Sequence, residues 1–191
     1  QYESKQAELD KQKEIIKEQE QLLKDQQEEL DRIAGIRSDL VAALRDEFAD
    51  SSLNVKVDEK TGAITFDASV LFDVADSDLK EEGKTFLKEF LPKYCKVLLD
   101  EKYRDYVSEI IIEGHTDTNG SYIYNLELSQ HRAFSVAKYC LTESNGIISS
   151  TDVELLRSVL TANGKSYSNP IYKEDGAVDL EASRRVEILF R

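Results

Sequence analysis

The segment Glu113-Gly114-His115-Thr116-Asp117-Thr118-Asn119-Gly120 gathers acids, an imidazole, hydroxyls and an amide around two glycines that permit a tight backbone. The residues after it are expected to form a helix, on which Asn125, Ser129 and Arg132 fall at i, i+4 and i+7 and so share one face. An anion at Asp117 and a cation at Arg132, held close together, suit a zwitterion. The carboxylate takes an ammonium, and the planar guanidinium takes a carboxylate through two parallel hydrogen bonds. Asn125 adds a donor and an acceptor, and Thr118 and nearby loop amides complete the set at a helix N-terminus. The residues alone leave two readings open: a site for a small zwitterion such as an amino-acid headgroup, or an internal Asp117–Arg132 ion pair that ties loop to helix.

A catalytic use of the same loop would take His115 and Asp117 as an H-x-D metal pair, with Glu113 or His131 added to activate water. The chain has only 2 histidines, and successive strand residues face opposite sides, so no three-ligand metal set is expected. His115 is expected to fix the loop by hydrogen bonds. There is no phosphate-binding glycine loop, nucleophile elbow or persuasive Cys–His pair. Non-catalytic binding, without metal or cofactor, is the expectation.

These residues need a scaffold. Ile110, Ile111 and Ile112 read as a central strand that delivers the loop, the position where open α/β sheets bind ligands. Ahead of it, Val55 and Val57, a turn over 58–62, and Ile64 and Phe66 read as a hairpin. A helix capped by Ser77 or Asp78 carries the stripe Leu79, Phe86, Leu87, Phe90, Leu91, Tyr94 and Leu98. Further helices are expected over Tyr122–Leu141 and Asp152–Leu160, and Val186, Ile188 and Phe190 alternate in a last strand. The fold class is therefore α+β: a β-α-β-α-α-β mixed sheet with helices on one face. Cys95 and Cys140 lie in apolar helical stripes and are expected as buried free thiols rather than a disulfide.

Residues 1–33 are different in kind. They are rich in Glu, Gln, Lys and Leu and lack Gly and Pro, and Tyr2, Leu9, Ile16, Leu23 and Leu30 recur every seven residues. This reads as a coiled-coil stalk, with a single solvated helix or a disordered charge-rich segment as the other reading; its second seam holds Lys5, Gln12, Gln19 and Gln26 before Ile33, so self-association is expected to be weak. Ala34-Gly35 interrupts the pattern, and Ile36, Leu40, Leu44 and Phe48 mark an amphipathic linker helix within residues 34–53. The domain proper is expected over 54–191, with its boundary between Asp50 and Asn54.

With 38 acidic residues against 25 Lys and Arg, the net charge of −13 would repel nucleic acid. No apolar run is long enough to span a bilayer. The start at Gln1 and the lack of Met lead to the expectation of a fragment whose upstream part carries a membrane anchor.

Residues 113–133, EGHTDTNGSYIYNLELSQHRA, resemble the signature of the OmpA C-terminal, Pal and MotB peptidoglycan-binding family: GHTD, then G, N, LS and RA at fixed spacing. The similarity extends from about Ile64 to Arg191, through Leu71-Phe72-Asp73 and Arg184-Arg185-Val186-Glu187. It implies that Asp117 and Arg132 grip the amino-acid end of diaminopimelate in the peptide stem of the wall. It further implies secondary contacts from Asp73, Thr118, Asn125 and Arg184, with Leu128 packing behind them. The chain departs from the family in two places: Ser183 stands where an Asn usually precedes the paired arginines, and Asn163-Gly164-Lys165-Ser166 replaces a Gly-Tyr-Gly-Glu turn. A stalk ending in a wall-binding head also resembles the B subunit of ion-driven stators, of the flagellar motor or the Zorya anti-phage motor. That resemblance implies a homodimer through the stalk, a MotA-like membrane channel partner, and a location outside the cytoplasmic membrane, in the periplasm or wall zone. Two other readings are an assembly module that binds another protein and a static outer-membrane or lipoprotein-type anchor.

Overall fold

The structure, a computed structural model, describes residues 2–49, 51–144 and 146–191. The chain divides into two compact units, Gln1–Asp39 and Leu40–Arg191. Helix α1 spans Tyr2–Ala49 and runs through Gly35 without interruption. A single glycine costs a helix only about 1 kcal/mol, too little to break one flanked by strong helix formers. The boundary expected between Asp50 and Asn54 starts at a residue outside those described.

Within the first unit, polar side chains satisfy one another along the helix: Gln6 donates to Asp10, Gln21 to Asp25 and Gln27 to Asp31, one turn apart. The apolar repeat stays in solvent, with Leu9, Ile16, Leu23 and Leu30 all exposed. This arrangement fits a coiled-coil helix, whose apolar seam is covered only by a partner.

The second unit buries the same kind of residue. Leu40, Leu44 and Phe48 of α1 are in the core, Phe48 stacks on Phe90 with ring centroids 5.2 Å apart, and Glu47 accepts from Lys96 at 2.6 Å. Strands β1 (Lys56–Val57) and β2 (Ile64–Asp67) form the expected hairpin. Two short or long helices follow, α2 (Ala68–Leu71) and α3 (Glu81–Leu98). Neither Ser77 nor Asp78 caps α3: its N-cap is Lys80, without a side-chain cap bond, because Asp76 has already taken the Ser77 and Asp78 amides into a turn. Phe86, Leu87, Phe90, Leu91, Tyr94 and Leu98 are buried as their spacing predicts.

The rest of the head comprises β3 (Ile110–Gly114), α4 (Tyr122–Lys138), α5 (Ser150–Val159), β4 (Leu160–Gly164), α6 (Leu180–Ser183) and β5 (Arg185–Phe190). The sheet order is β1-β2-β5-β3-β4, antiparallel except for the parallel β3–β4 pair. The α+β class with a mixed sheet and a long N-terminal helix thus holds, with one added strand. The sequence pattern predicts a helix as far as about Leu160 and a turn at Asn163-Gly164. Those residues are β4, a half-exposed edge strand of Leu-Thr-Ala-Asn-Gly with little strand propensity of its own. It is held from α4, where Gln130 accepts from the Gly164 amide at 2.7 Å and donates to the Ala162 carbonyl at 3.1 Å.

Close approach explains two glycines. A Cβ at Gly114 would lie 2.2 Å from the Ser129 carbonyl, and one at Gly164 would lie 2.5 Å from the Gln130 amide. Only bare backbone lets α4 lie this close to β3 and β4. Cys95 and Cys140 are free and buried, and burial pushes the Cys140 thiol up to about 12.

Candidate functional site

Strand β3 ends at Gly114, and the chain stays paired to β5 for one further residue through the His115 amide and the Arg185 carbonyl, 2.9 Å apart. The loop then opens toward α4, where Ser121 caps the helix by accepting from the Tyr124 amide. Asn125 donates to the Asn119 and Ser121 carbonyls at 2.7 and 3.1 Å. Its amide nitrogen therefore closes the loop rather than facing a ligand, leaving its carbonyl oxygen as the group to offer.

Asp117 is held by two donors: the Asn119 amide reaches one oxygen at 2.8 Å and the Arg184 guanidinium the other at 2.7 Å. Burial acts to raise the Asp117 carboxyl, but the bonds from Arg184 and Asn119 together outweigh it and keep the pKa below the ordinary carboxylate value. Asp117 is thus an anion throughout the neutral range, with lone pairs left for a further donor.

Arg132 is buried, and it makes no ion pair with Asp117. Its Nε donates to the Asp76 carbonyl at 2.8 Å and an Nη to the Asp73 carbonyl at 3.2 Å, while the guanidinium lies 5.2 Å from the centroid of Phe72. Burial lowers its pKa, yet a guanidinium stays protonated at any physiological pH. Among the described residues no carboxylate lies within ion-pair distance of Arg132. With two of its five N–H donors bound to carbonyls, the remainder are open to an anionic ligand. The internal Asp117–Arg132 tie considered from sequence is not formed, because Arg184 takes the acid and loop carbonyls take the arginine.

A cavity of about 500 Å³ connects these groups, lined among others by Phe72, Asp73, Asp117, Asn125, Leu128, Arg132 and Arg184. Thr118 is exposed and outside the lining. Sequence reasoning missed Thr116, Asn119, Tyr124 and Phe72, which also line the cavity. The Thr116 hydroxyl is buried without a hydrogen-bond partner among the described residues, a group that a ligand could satisfy. Its place in the loop, one residue before Asp117, was the available signal. The shift of Ser183 from the family pattern does not displace Arg184: the buried Ser183 hydroxyl accepts from the Ile171 amide at 2.9 Å and anchors the turn that presents it.

His115 behaves otherwise than the sequence suggested. It is 2% exposed, and neither ring nitrogen has a hydrogen-bond partner among the described residues. Burial, aided by the Arg185 and Lys165 charges, drives its pKa down to about 3, so the imidazole is neutral.

The OmpA family matches residues 71–184. Zorya protein ZorB from an Escherichia coli strain is 33% identical over 142 residues, covering 70% of this chain and 58% of that protein. Outer membrane protein A of Bordetella avium is 32% identical over 125 residues, covering 65% of this chain and 55% of that protein. The chain spans somewhat over half the length of these curated relatives. A solved MotB-like protein from Desulfovibrio vulgaris shares the fold with a TM-score of 0.57 at 19% identity, over 84% of this chain and 93% of that one.

Proposed function

The chain belongs to the OmpA family, and from that premise we propose that its head binds the stem peptide of peptidoglycan and anchors an envelope protein to the cell wall. The observation that carries this reading is the buried Arg132, a guanidinium without a carboxylate partner among the described residues, in one cavity with the anionic Asp117. A diaminopimelate side chain ends in an ammonium and a carboxylate on one carbon. The ammonium suits Asp117, and the carboxylate suits the open donors of Arg132. Phe72, Tyr124 and Leu128 supply apolar walls for the methylene stem. Asn125, Asp73 and Arg184 are secondary contacts, and Thr118 acts only at the rim. The family binds structural wall material rather than turning over a substrate, and the cavity fits a binding role without catalysis.

The chemistry predicts its own discrimination. Stem peptide with diaminopimelate at its third position should bind in calorimetric titration, whereas a lysine-containing stem, which lacks the terminal carboxylate, should bind at least about tenfold more weakly. Equal affinity for the two would refute the zwitterion assignment.

The stalk supports a further element of the proposal. An exposed apolar repeat on a 48-residue helix favours pairing with a second copy, and similarity to Zorya ZorB favours a stator-type protein over a static lipoprotein anchor. In that reading a MotA-like channel subunit is the membrane partner, and the head works on the outer side of the cytoplasmic membrane.

A further inference from the structure

Below the wall-binding loop, a second cluster uses the same strand and different chemistry. Glu113 and His115 are two residues apart, so their side chains lie on one side of the chain as it leaves β3. Glu187 of β5 is directly opposite Glu113 in the antiparallel register. The three contribute one ligand atom each, all within 4.8 Å of one another, and His115 Nε2 lies 3.6 Å from a Glu113 oxygen and 3.8 Å from a Glu187 oxygen. Strand alternation argued against a three-ligand set within the loop's own residues, and the third member here comes instead from β5, through a register with β3 that the sequence does not display.

His115 supplies an independent indication. An imidazole this deeply buried, with neither nitrogen hydrogen-bonded among the described residues, has given up its hydration without a replacement partner. Its neutral form is the one that ligates metals. The two carboxylates are already oriented from behind: the other Glu113 oxygen pairs with Lys165 at 3.0 Å, and the other Glu187 oxygen with Arg185. Such outer partners commonly fix the ligands of a metal. They also neutralise the acids, so the cluster is stable as a folded unit before any cation enters. Lys165 is partly exposed on a flexible stem and can withdraw as a cation arrives. Glu187, with Arg185, lines a separate groove of about 500 Å³, so one member of the cluster borders solvent.

We propose that Glu113, His115 and Glu187 form a divalent-cation site, with zinc the best match to one imidazole and two carboxylates, and with a fourth position open toward the groove. The ion would bridge the end of β3 to β5 close in sequence to the wall-binding cavity, with Asp117 two residues after His115 and Arg184 three before Glu187.

Isothermal titration of the intact chain with zinc chloride tests this, alongside Glu113→Gln, His115→Gln and Glu187→Gln, with His131→Ala as a control for the exposed histidine. One zinc per chain is expected, with affinity reduced about tenfold or more in each of the three ligand variants and unchanged in the control. A thermal melt of the native chain with and without zinc guards against variants that fail to fold, and a zinc-dependent rise in melting temperature is expected. No saturable binding and no rise in the melt would overturn the proposal, as would binding that persists in Glu187→Gln or vanishes in His131→Ala.

Discussion

Gly35 and Gly114 belong to the two compact units and live under opposite constraints. Around Gly35 a Cβ would meet nothing within 4 Å, whereas at Gly114 it would strike the Ser129 carbonyl at 2.2 Å. The same contrast runs through the leucines. Leu23 is 65% exposed and Leu44 is fully buried, although both lie on α1. The first unit is a helix by propensity and by pairs along its own surface, with an apolar seam that lies in solvent. The second is a packed core in which helix and strand approach closely enough to exclude a methyl group. Helix formation therefore does not distinguish the two; burial does, and only the packed unit can hold charged groups in a fixed relation for binding.

The sharpest way to break this comparison is Gly114→Ala, which forces α4 away from β3. Urea unfolding of the head should show a loss of about 3 kcal/mol or more, and a loss below 1 kcal/mol would mean that the contact relaxes without strain. Arg132→Ala is next. It removes the buried cation facing the cavity and should weaken stem-peptide binding by about 2–5 kcal/mol in calorimetry, with equal affinities counting against the site. Gly35→Ala tests the other unit: helix content by circular dichroism should rise, and the stalk should gain about 1 kcal/mol, while stem-peptide affinity stays the same. Stalk pairing should be weak, because Gln12, Gln19 and Gln26 occupy the second seam. Sedimentation equilibrium of the whole chain should find mostly monomer at low micromolar concentration, and a tight dimer there would contradict that account of the seam.

The smallest effect expected is that of mild acid. Because the Asp117 pKa is depressed in the folded chain, its pairing with Arg184 contributes stability that is complete above the ordinary carboxylate range and is lost as pH falls through the lowered value. Stem-peptide affinity should therefore be level between about pH 7 and pH 5 and decline only below about pH 4. A decline centred near pH 6 would point to a group other than Asp117.

What the sequence made legible were features with local signatures. The Ile110–Ile112 run reads as a buried strand from apolarity alone, and the α3 stripe reads from its helical period. The loop from Glu113 to Gly120 and the helix face of Asn125 and Arg132 read from residue type and spacing. Features that depend on distant partners did not read. Strand β4 has no strand-like composition and is placed by its parallel pairing with β3 and by Gln130. The partners of Arg132 are carbonyls of Asp73 and Asp76, supplied by a loop far away in sequence, whereas the residue types alone suggest only Asp117 as an internal partner. Thr116 is signalled only by its place beside Asp117, since nothing in the sequence tells a buried hydroxyl from the exposed one at Thr118, and Glu187 joins His115 only through strand register.

The central claim, that Asp117 and Arg132 make this head a wall-binding module, is tested most directly by sedimenting the purified chain with insoluble peptidoglycan. Native protein should pellet with the wall material, while Asp117→Ala and Arg132→Ala, each confirmed to be folded, should remain in the supernatant. Native protein left in solution, or both variants pelleting as well as the native chain, would contradict the account.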